Sequence, residues 1–295
     1  TYGNEQEIIE ILQLAINFEN GIFNHIPAEA PRLRNSLVKS DSWVELFEQL
    51  ARIAVKSTYF ASGRGAALAV LEDFRAGYAE RHGGSSEVLA VLEATIARMD
   101  GRLGEVGLLT SELGLDRLQS PIARVLLGEL QPLASASTSE PPAETGPRGA
   151  IVTALRAAAG EKGNQRRRLV EQAFWLAARE SHSAPFIEHR DVLSGIGTRL
   201  SSGRFARGNV QLARMARHVV QTIRRSYWVP PTLHALGVTH RQYNIVSALQ
   251  SGATNKEIAR TLALSEATVK YHLAGLYQRI GVSRRGELLE NIHEN

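Results

Sequence analysis

The stretch TNKEIARTLALSEATVKYHLAGLYQRIGV, Thr254 to Val282, decides the reading of this chain. Thr254 and Ser265 each stand just before an apolar-periodic run, where a side-chain oxygen caps a helix N-terminus. The first run turns Ile258, Ala259 and Leu262 to one side. The second turns Val269, Leu273, Leu276 and Ile280 inward and stops at Gly281, a C′ glycine. Ala263-Leu264-Ser265 between them is a three-residue turn, and the small residues Ala259, Ala263 and Ala267 let the two helices approach closely. Two short helices about a tight turn make a helix-turn-helix. Working outward, Thr239-His240-Arg241-Gln242 is a capping box that opens a helix to about Gln250. That helix has Ile245, Val246 and Leu249 inward and Gly252 at its end. A last helix, RRGELLENIHE, follows Ser283.

The chemistry of this pattern points to double-stranded DNA. Helix N-termini at Thr254 and Ser265 present first-turn amides to anions, and phosphate oxygens suit them. The phosphate-facing set is Thr254, Asn255, Lys256, Ser265, Thr268, His272 and Gln278. The inward residues of the second helix leave Glu266, Lys270, Tyr271 and Ala274 for a groove. Lys270 can donate to guanine O6 or N7, and apolar groups can touch a thymine methyl. The blander alternative is a small helical domain with ordinary caps.

Asn255-Lys256-Glu257-Ile258-Ala259, Ser265-Glu266-Ala267-Thr268-Val269-Lys270-Tyr271-His272 and Arg279-Ile280-Gly281-Val282 resemble the LuxR-type DNA-binding domain. The resemblance covers Leu236 to Asn295 and implies a DNA-binding transcriptional regulator acting as a homodimer on DNA. Some positions depart from the family. Its usual Thr-Pro-Arg-Glu opening is Thr239-His240-Arg241-Gln242 here, which keeps the capping box without the charge. Its Ser-Arg-x-x-Ala is Ser283-Arg284-Arg285-Gly286-Glu287. Gly286 weakens the last helix by about 1 kcal/mol relative to Ala, and in this family that helix often carries the dimer contact. Ala274 also leaves fewer base donors than a Lys would.

The residues before this domain read as helix throughout, so the fold class is all-α. Residues 1–200 form a helical-repeat, TPR-like sensor or interaction domain, interrupted by Pro132 to Gly149, which is rich in Pro, Ser and Thr and reads as a mobile loop. Residues 201–235 are a basic connecting helix and a Pro-containing linker, and 236–295 the helix-turn-helix domain. The connecting helix carries Leu212, Met215, Val219, Ile223 and Tyr227 on one side, with Arg214, Arg217, Arg224 and Arg225 spread over the others. That apolar stripe is expected to pack on the front domain. FASGRGAALAVLEDFRAGYAE and LVEQAFWLAARESHSAPFIEHRDVL resemble the helical-repeat region of MalT-like LuxR regulators, where a stretch like Pro185-Phe186-Ile187-Glu188 follows the last repeat. Their N-terminal ATPase loop, Gly-x-x-x-x-Gly-Lys-Thr, has no counterpart here. The chain is therefore the rear of a longer protein or a stand-alone form, and its lack of an initiator Met fits a processed or truncated chain.

Charge separates front from rear. Between Asp191 and Glu257 lie nine basic residues and no acidic one. The 34 basic residues less these nine leave 25 against 30 acidic ones, an acidic front and a rear suited to a polyanion. No cysteine is present, which excludes disulfides and thiolate metal sites. No apolar run reaches the roughly 18 residues that a membrane span needs, and a cytoplasmic location is expected. The nine histidines do not cluster at metal spacing; His182 and His189 read as surface or helix-end residues. Arg166 to Arg168 read as a solvated face, and Trp43, Phe47, Tyr59, Phe60 and Phe74 as core. No nucleophile–base constellation supports an enzyme, and no cofactor is implied. A phosphorylated receiver or an acyl-homoserine-lactone receptor would each need a sheet, and none is expected. The remaining readings are a regulator whose front domain answers a small-molecule or protein effector, and a helical-repeat scaffold tethered to DNA.

Overall fold

A computed structural model describes residues 3–39, 44–113, 118–130, 146–179, 181–193, 200, 202, 204–229, 231–250 and 252–294. All regular elements among the described residues are helical. Two compact units divide the chain, 1–227 and 228–295. The proline-rich segment from Pro132 lies outside the described residues as far as 145, as does Trp43; from Gly146 the chain is already helical.

The front unit opens with α1 (Gly3–Glu19), α2 (Ile26–Lys39), α3 (Val44–Ser62), α4 (Arg64–His82), α5 (Glu87–Met99), α6 (Leu103–Leu113) and α7 (Pro121–Leu130). Neighbours in sequence pack on one another, α2 on α3, α3 on α4 and α4 on α5. These helices share one apolar core, which includes Phe18, Phe47, Tyr59, Phe60 and Phe74. In α1 the inward stripe is Ile11, Leu14 and Phe18, whereas Ile9, Leu12 and Ile16 face outward.

A second core in the same unit joins α8 (Gly146–Ala159), α9 (Gly163–Ala177), α10 (Ala184–Glu188) and α11 (Val210–Arg225). Leu212, Val219 and the partly buried Met215 and Ile223 pack there with Phe174 and Phe186, so the apolar stripe of α11 belongs to the front unit. The arginines of α11 are not spread over several sides. At about 100° per residue, Arg214, Arg217, Arg224 and Arg225 share one exposed arc opposite the buried stripe. Arg166 is no solvated residue either, since it donates to the Val192 carbonyl at 2.7 Å and to the Asp191 carbonyl at 2.9 Å.

α10 is the joint of the two cores. All five of its residues are buried; Ile187 belongs to the first core and Phe186 to the second. Glu188 ends α10 inside an ionic network. Its carboxylate accepts from Lys56 Nζ of α3 at 2.8 Å and from Arg148 Nη2 of α8 at 2.8 Å to each oxygen. Arg148 also reaches Glu19 at 2.7 Å and Glu129 at 3.5 Å, and Arg52 reaches Glu19 at 3.2 Å. Three cations meet three carboxylates, so the charges are compensated where desolvation would otherwise be costly. Burial pushes the Glu188 carboxyl up, but Arg148 and Lys56 outweigh it and hold the group well below the usual carboxylate range. His189 is the helix-end residue expected, capping the C-terminus of α10, but it is buried rather than on the surface. Burial and the neighbouring Arg98 hold it well below the usual histidine range, so the ring is neutral.

The front unit ends at a fixed point. The Tyr227 amide donates to the Phe60 carbonyl at 2.6 Å, at the end of α3. Its ring meets Tyr59 edge-on at 6.2 Å and lies against Gly63. Gly63 has φ +84°, and a Cβ there would lie 2.6 Å from the ring. Only glycine accommodates both demands.

The C-terminal unit consists of α12 (Pro231–Ala235), α13 (His240–Gln250), α14 (Asn255–Thr261), α15 (Glu266–Ile280) and α16 (Arg285–Glu294). Its core is Leu233, Val238, Ile245, Val246, Leu249, Ile258, Ala259, Val269, Leu273, Leu276 and Leu288. Pro231 opens a short helix where the sequence suggested a stiff linker. Gly286 stands in the first turn of α16, which is held by the Glu287 carboxylate accepting from the Ser283 and Arg284 amides at 2.8 and 3.2 Å.

Candidate nucleic-acid interface

The interface is built from two capped helix starts. Thr254 Oγ1 accepts from the Glu257 amide at 3.3 Å, and Glu257 Oε2 accepts from the Thr254 amide at 2.7 Å and its hydroxyl at 2.8 Å. This is a reciprocal capping box. The hydrogen bond from the Thr254 amide holds the Glu257 carboxyl below its usual range. At the next helix, Ser265 Oγ accepts from the Thr268 amide at 3.0 Å and shares a 2.8 Å hydrogen bond with the Thr268 hydroxyl. Each cap satisfies the N3 amide. The first two amides, of Asn255 and Lys256 and of Glu266 and Ala267, have no intrahelical acceptor.

Between the two starts, α14 and α15 enclose Ala263 with φ +52°. The turn needs a left-handed residue, and an alanine there is held in a conformation that glycine adopts without penalty. α15 ends at Gly281, φ +76°, whose amide donates to the Tyr277 carbonyl at 2.9 Å.

On α15, Val269, Leu273 and Leu276 are buried and Ile280 partly so. Lys270, Ala274 and Gln278 share one exposed arc with Tyr271, which is 76% exposed, and Glu266 stands exposed at the helix start. Thr268 and His272 follow beyond Tyr271, about 60° and 100° further round the helix, and are partly buried. The His272 ring sits edge-on to Tyr271, 5.7 Å between centroids.

A shallow concavity of about 510 Å³ gathers Thr254, Asn255, Lys256, Glu266 and Lys270 with Leu273, Tyr277 and Arg285. It unites the start of α14 with the Lys270 edge of α15. Tyr271, Ala274, Ser265, Thr268, His272 and Gln278 lie outside it. Sequence reasoning missed two supports. Arg285 donates to the Leu249 and Ala253 carbonyls at 3.3 and 3.0 Å, fixing the link from α13 to α14. Arg279 donates to the Gly237 carbonyl and lies 3.5 Å from Gln242 Oε1. That oxygen also accepts from the Thr239 amide at 3.0 Å, so the capping box at Thr239 is joined to the far end of α15. The Glu257 half of the second box was readable as Thr-x-x-Glu; the arginine ties join residues 32 to 42 apart and leave no local signal.

Among the described residues no group of three or more His, Asp or Glu could hold a metal ion, and no helix is long and apolar enough to cross a membrane.

Residues 237–290 match the family model described as GerE, bacterial regulatory proteins, luxR family. A LuxR-type helix-turn-helix domain therefore occupies the C-terminal unit. Over 58 residues the chain is 43% identical to a protein of Salmonella typhimurium strain LT2 described as a probable csgAB operon transcriptional regulatory protein. The same identity and extent hold for the CsgBAC operon transcriptional regulatory protein of Escherichia coli K12. Each match covers 20% of this chain and 27% of the relative, so the chain spans about a quarter of the length of these curated relatives. No solved structure matches the chain.

Proposed function

We propose that the chain is a transcription regulator that reads double-stranded DNA through its C-terminal unit, under control of an all-helical front unit. The observation that carries this is the exposed arc of Lys270, Tyr271, Ala274 and Gln278 beside two capped helix starts. Lys270 and Tyr271, with Ala274 and Glu266, meet base edges. Thr254, Asn255, Lys256, Ser265, Thr268 and Gln278 meet phosphates, and His272 steadies Tyr271 from the side. The relatives' descriptions as operon regulators support the same reading. The front unit takes a small-molecule or protein effector in the manner of MalT-like helical repeats, the protein works in the cytoplasm, and two copies occupy the operator. No step of this reading requires catalysis.

Binding-site selection on the full chain tests it. The wild-type chain returns one preferred duplex. Lys270→Ala weakens binding to that duplex by about 1–3 kcal/mol and relaxes preference at one base pair. A selection that returns no preferred sequence, or the same one for Lys270→Ala, contradicts the assignment.

A second reading, a helical scaffold tethered to DNA, is favoured by one feature. α1 exposes Ile9, Leu12 and Ile16 along one side at 60%, 51% and 55%. If Ile9→Asp with Ile16→Asp leaves the control of transcription intact while abolishing capture of a partner protein, the scaffold reading prevails.

A further inference from the structure

α11 presents an arginine stripe that the helix-turn-helix does not account for. Arg214, Arg217, Arg224 and Arg225 are exposed on one arc, with Gln221 exposed at its centre. Their Cα positions span about 16 Å along the helix axis. Leu212, Ala216, Val219 and Val220 on the opposite face are buried. α11 is therefore fixed, and the stripe faces water because of that packing. His218 stands beside the stripe but is turned away; its Nε2 lies 3.0 Å from the Asn20 carbonyl oxygen.

Among the described residues no carboxylate neutralises these arginines. No acidic residue occurs between Asp191 and Glu257. Among the described residues, none of the four arginines makes an ion pair with a carboxylate, whereas in the same unit Arg32, Arg34, Arg52, Arg64, Arg75, Arg102 and Arg148 all do. Four like charges within about 16 Å repel one another, and a stable helix has no need of them. They fit a ligand with regularly spaced negative charge along a line of that length. A duplex backbone carries one charge per about 1.7 Å of axis. An acidic patch on a folded protein would need a matching row of carboxylates at fixed height.

We propose that the arginine stripe of α11 is a second DNA-backbone contact, on duplex flanking the bases that the helix-turn-helix reads. The inference rests on the DNA-reading function proposed above. Covalent connection supports it. From Arg225 the chain passes only Ser226 and Tyr227 before the C-terminal unit begins at Trp228, so a duplex held by that unit is tethered to the stripe through a short connection. Such a contact adds affinity and salt dependence with no base preference.

The experiment uses the full chain with R214Q, R217Q and R224Q combined, and two duplexes. One is trimmed to the bases that selection on the wild-type chain specifies; the other carries the same bases in long random flanks. The substituted residues are exposed, so an unchanged thermal unfolding curve accompanies the comparison. The expected result is about tenfold or more weaker binding on the flanked duplex, a salt slope shallower by about three units there, and wild-type affinity on the trimmed duplex. The corresponding triple lysine variant restores the flanked affinity, because a backbone contact needs charge and not a guanidinium fork. Equal affinity of variant and wild type on both duplexes overturns the proposal and leaves an acidic protein as the stripe's partner. An equal loss on both duplexes also overturns it, since the stripe then lies within the core site. Failure of the reading itself shows separately, as a wild-type chain that selects no sequence or a Lys270→Ala variant with unaltered preference.

Discussion

The two units place their charges in opposite ways. The front unit buries Lys56 and Glu188 completely and nearly buries Glu129, Arg52, Arg190 and His189. The C-terminal unit has one buried polar side chain among its described residues, Gln242, and keeps Lys256, Lys270 and Arg260 at the surface. The difference teaches what each set of charges is for. A charge inside a protein must find a compensating partner, so the front network fixes geometry and joins two cores. A charge left outside contributes little to folding and remains available to a ligand.

The largest effect should come from breaking the inside set. Glu188→Gln leaves Lys56 and Arg148 without their shared carboxylate, and should destabilise the front unit by about 3–5 kcal/mol. The checking measurement is denaturant unfolding of the full chain, in which the C-terminal unit's own transition stays where it was. Equal loss in both transitions would mean that the contrast between the units is false.

Acid should attack the same place. The Glu188 carboxyl is depressed in the folded protein relative to its unfolded value. Its contribution is therefore fully present above the ordinary carboxylate range and is lost as pH falls through that range towards the depressed value. Front-unit stability should drop more steeply with acid in the wild-type chain than in Glu188→Gln, measured by thermal unfolding across the acid range.

The sequence carried these two kinds of charge very unequally. Thr254, Ser265 and Gly281 announce their helix ends locally, and Val269, Leu273 and Leu276 announce a buried stripe by spacing, so the helix-turn-helix was legible to within a residue or two. The groove-facing arc followed from the same spacing. Lys56 and Glu188 lie 132 residues apart, and no periodicity links them. The Pro185-Phe186-Ile187-Glu188 stretch stood out, but its part as the joint of two cores depends on which neighbours Phe186 and Ile187 meet. The Pro132 segment lies outside the described residues as far as 145. The left-handed φ of Ala263 left no trace either, because alanine is an unremarkable residue in any turn-sized gap.

Two smaller predictions sharpen the outside set. Lys256→Ala should weaken binding to all duplexes alike and make the salt slope shallower by about one unit; a loss confined to one sequence would reassign Lys256 to base reading. Ala263→Gly should relieve the left-handed turn and stabilise the C-terminal unit by about 0.5–1 kcal/mol in thermal unfolding, with DNA preference unchanged. A destabilised variant would mean that the turn is held by contacts of the alanine methyl.

The most direct measurement is amide NMR of the full chain titrated with its selected duplex. The largest shifts are expected at the helix starts, residues 254–257 and 265–271, with the buried network at Lys56 and Glu188 unmoved. Shifts centred on that network, with the two helix starts silent, would contradict the claim that this protein meets DNA through the stretch from Thr254 to Val282.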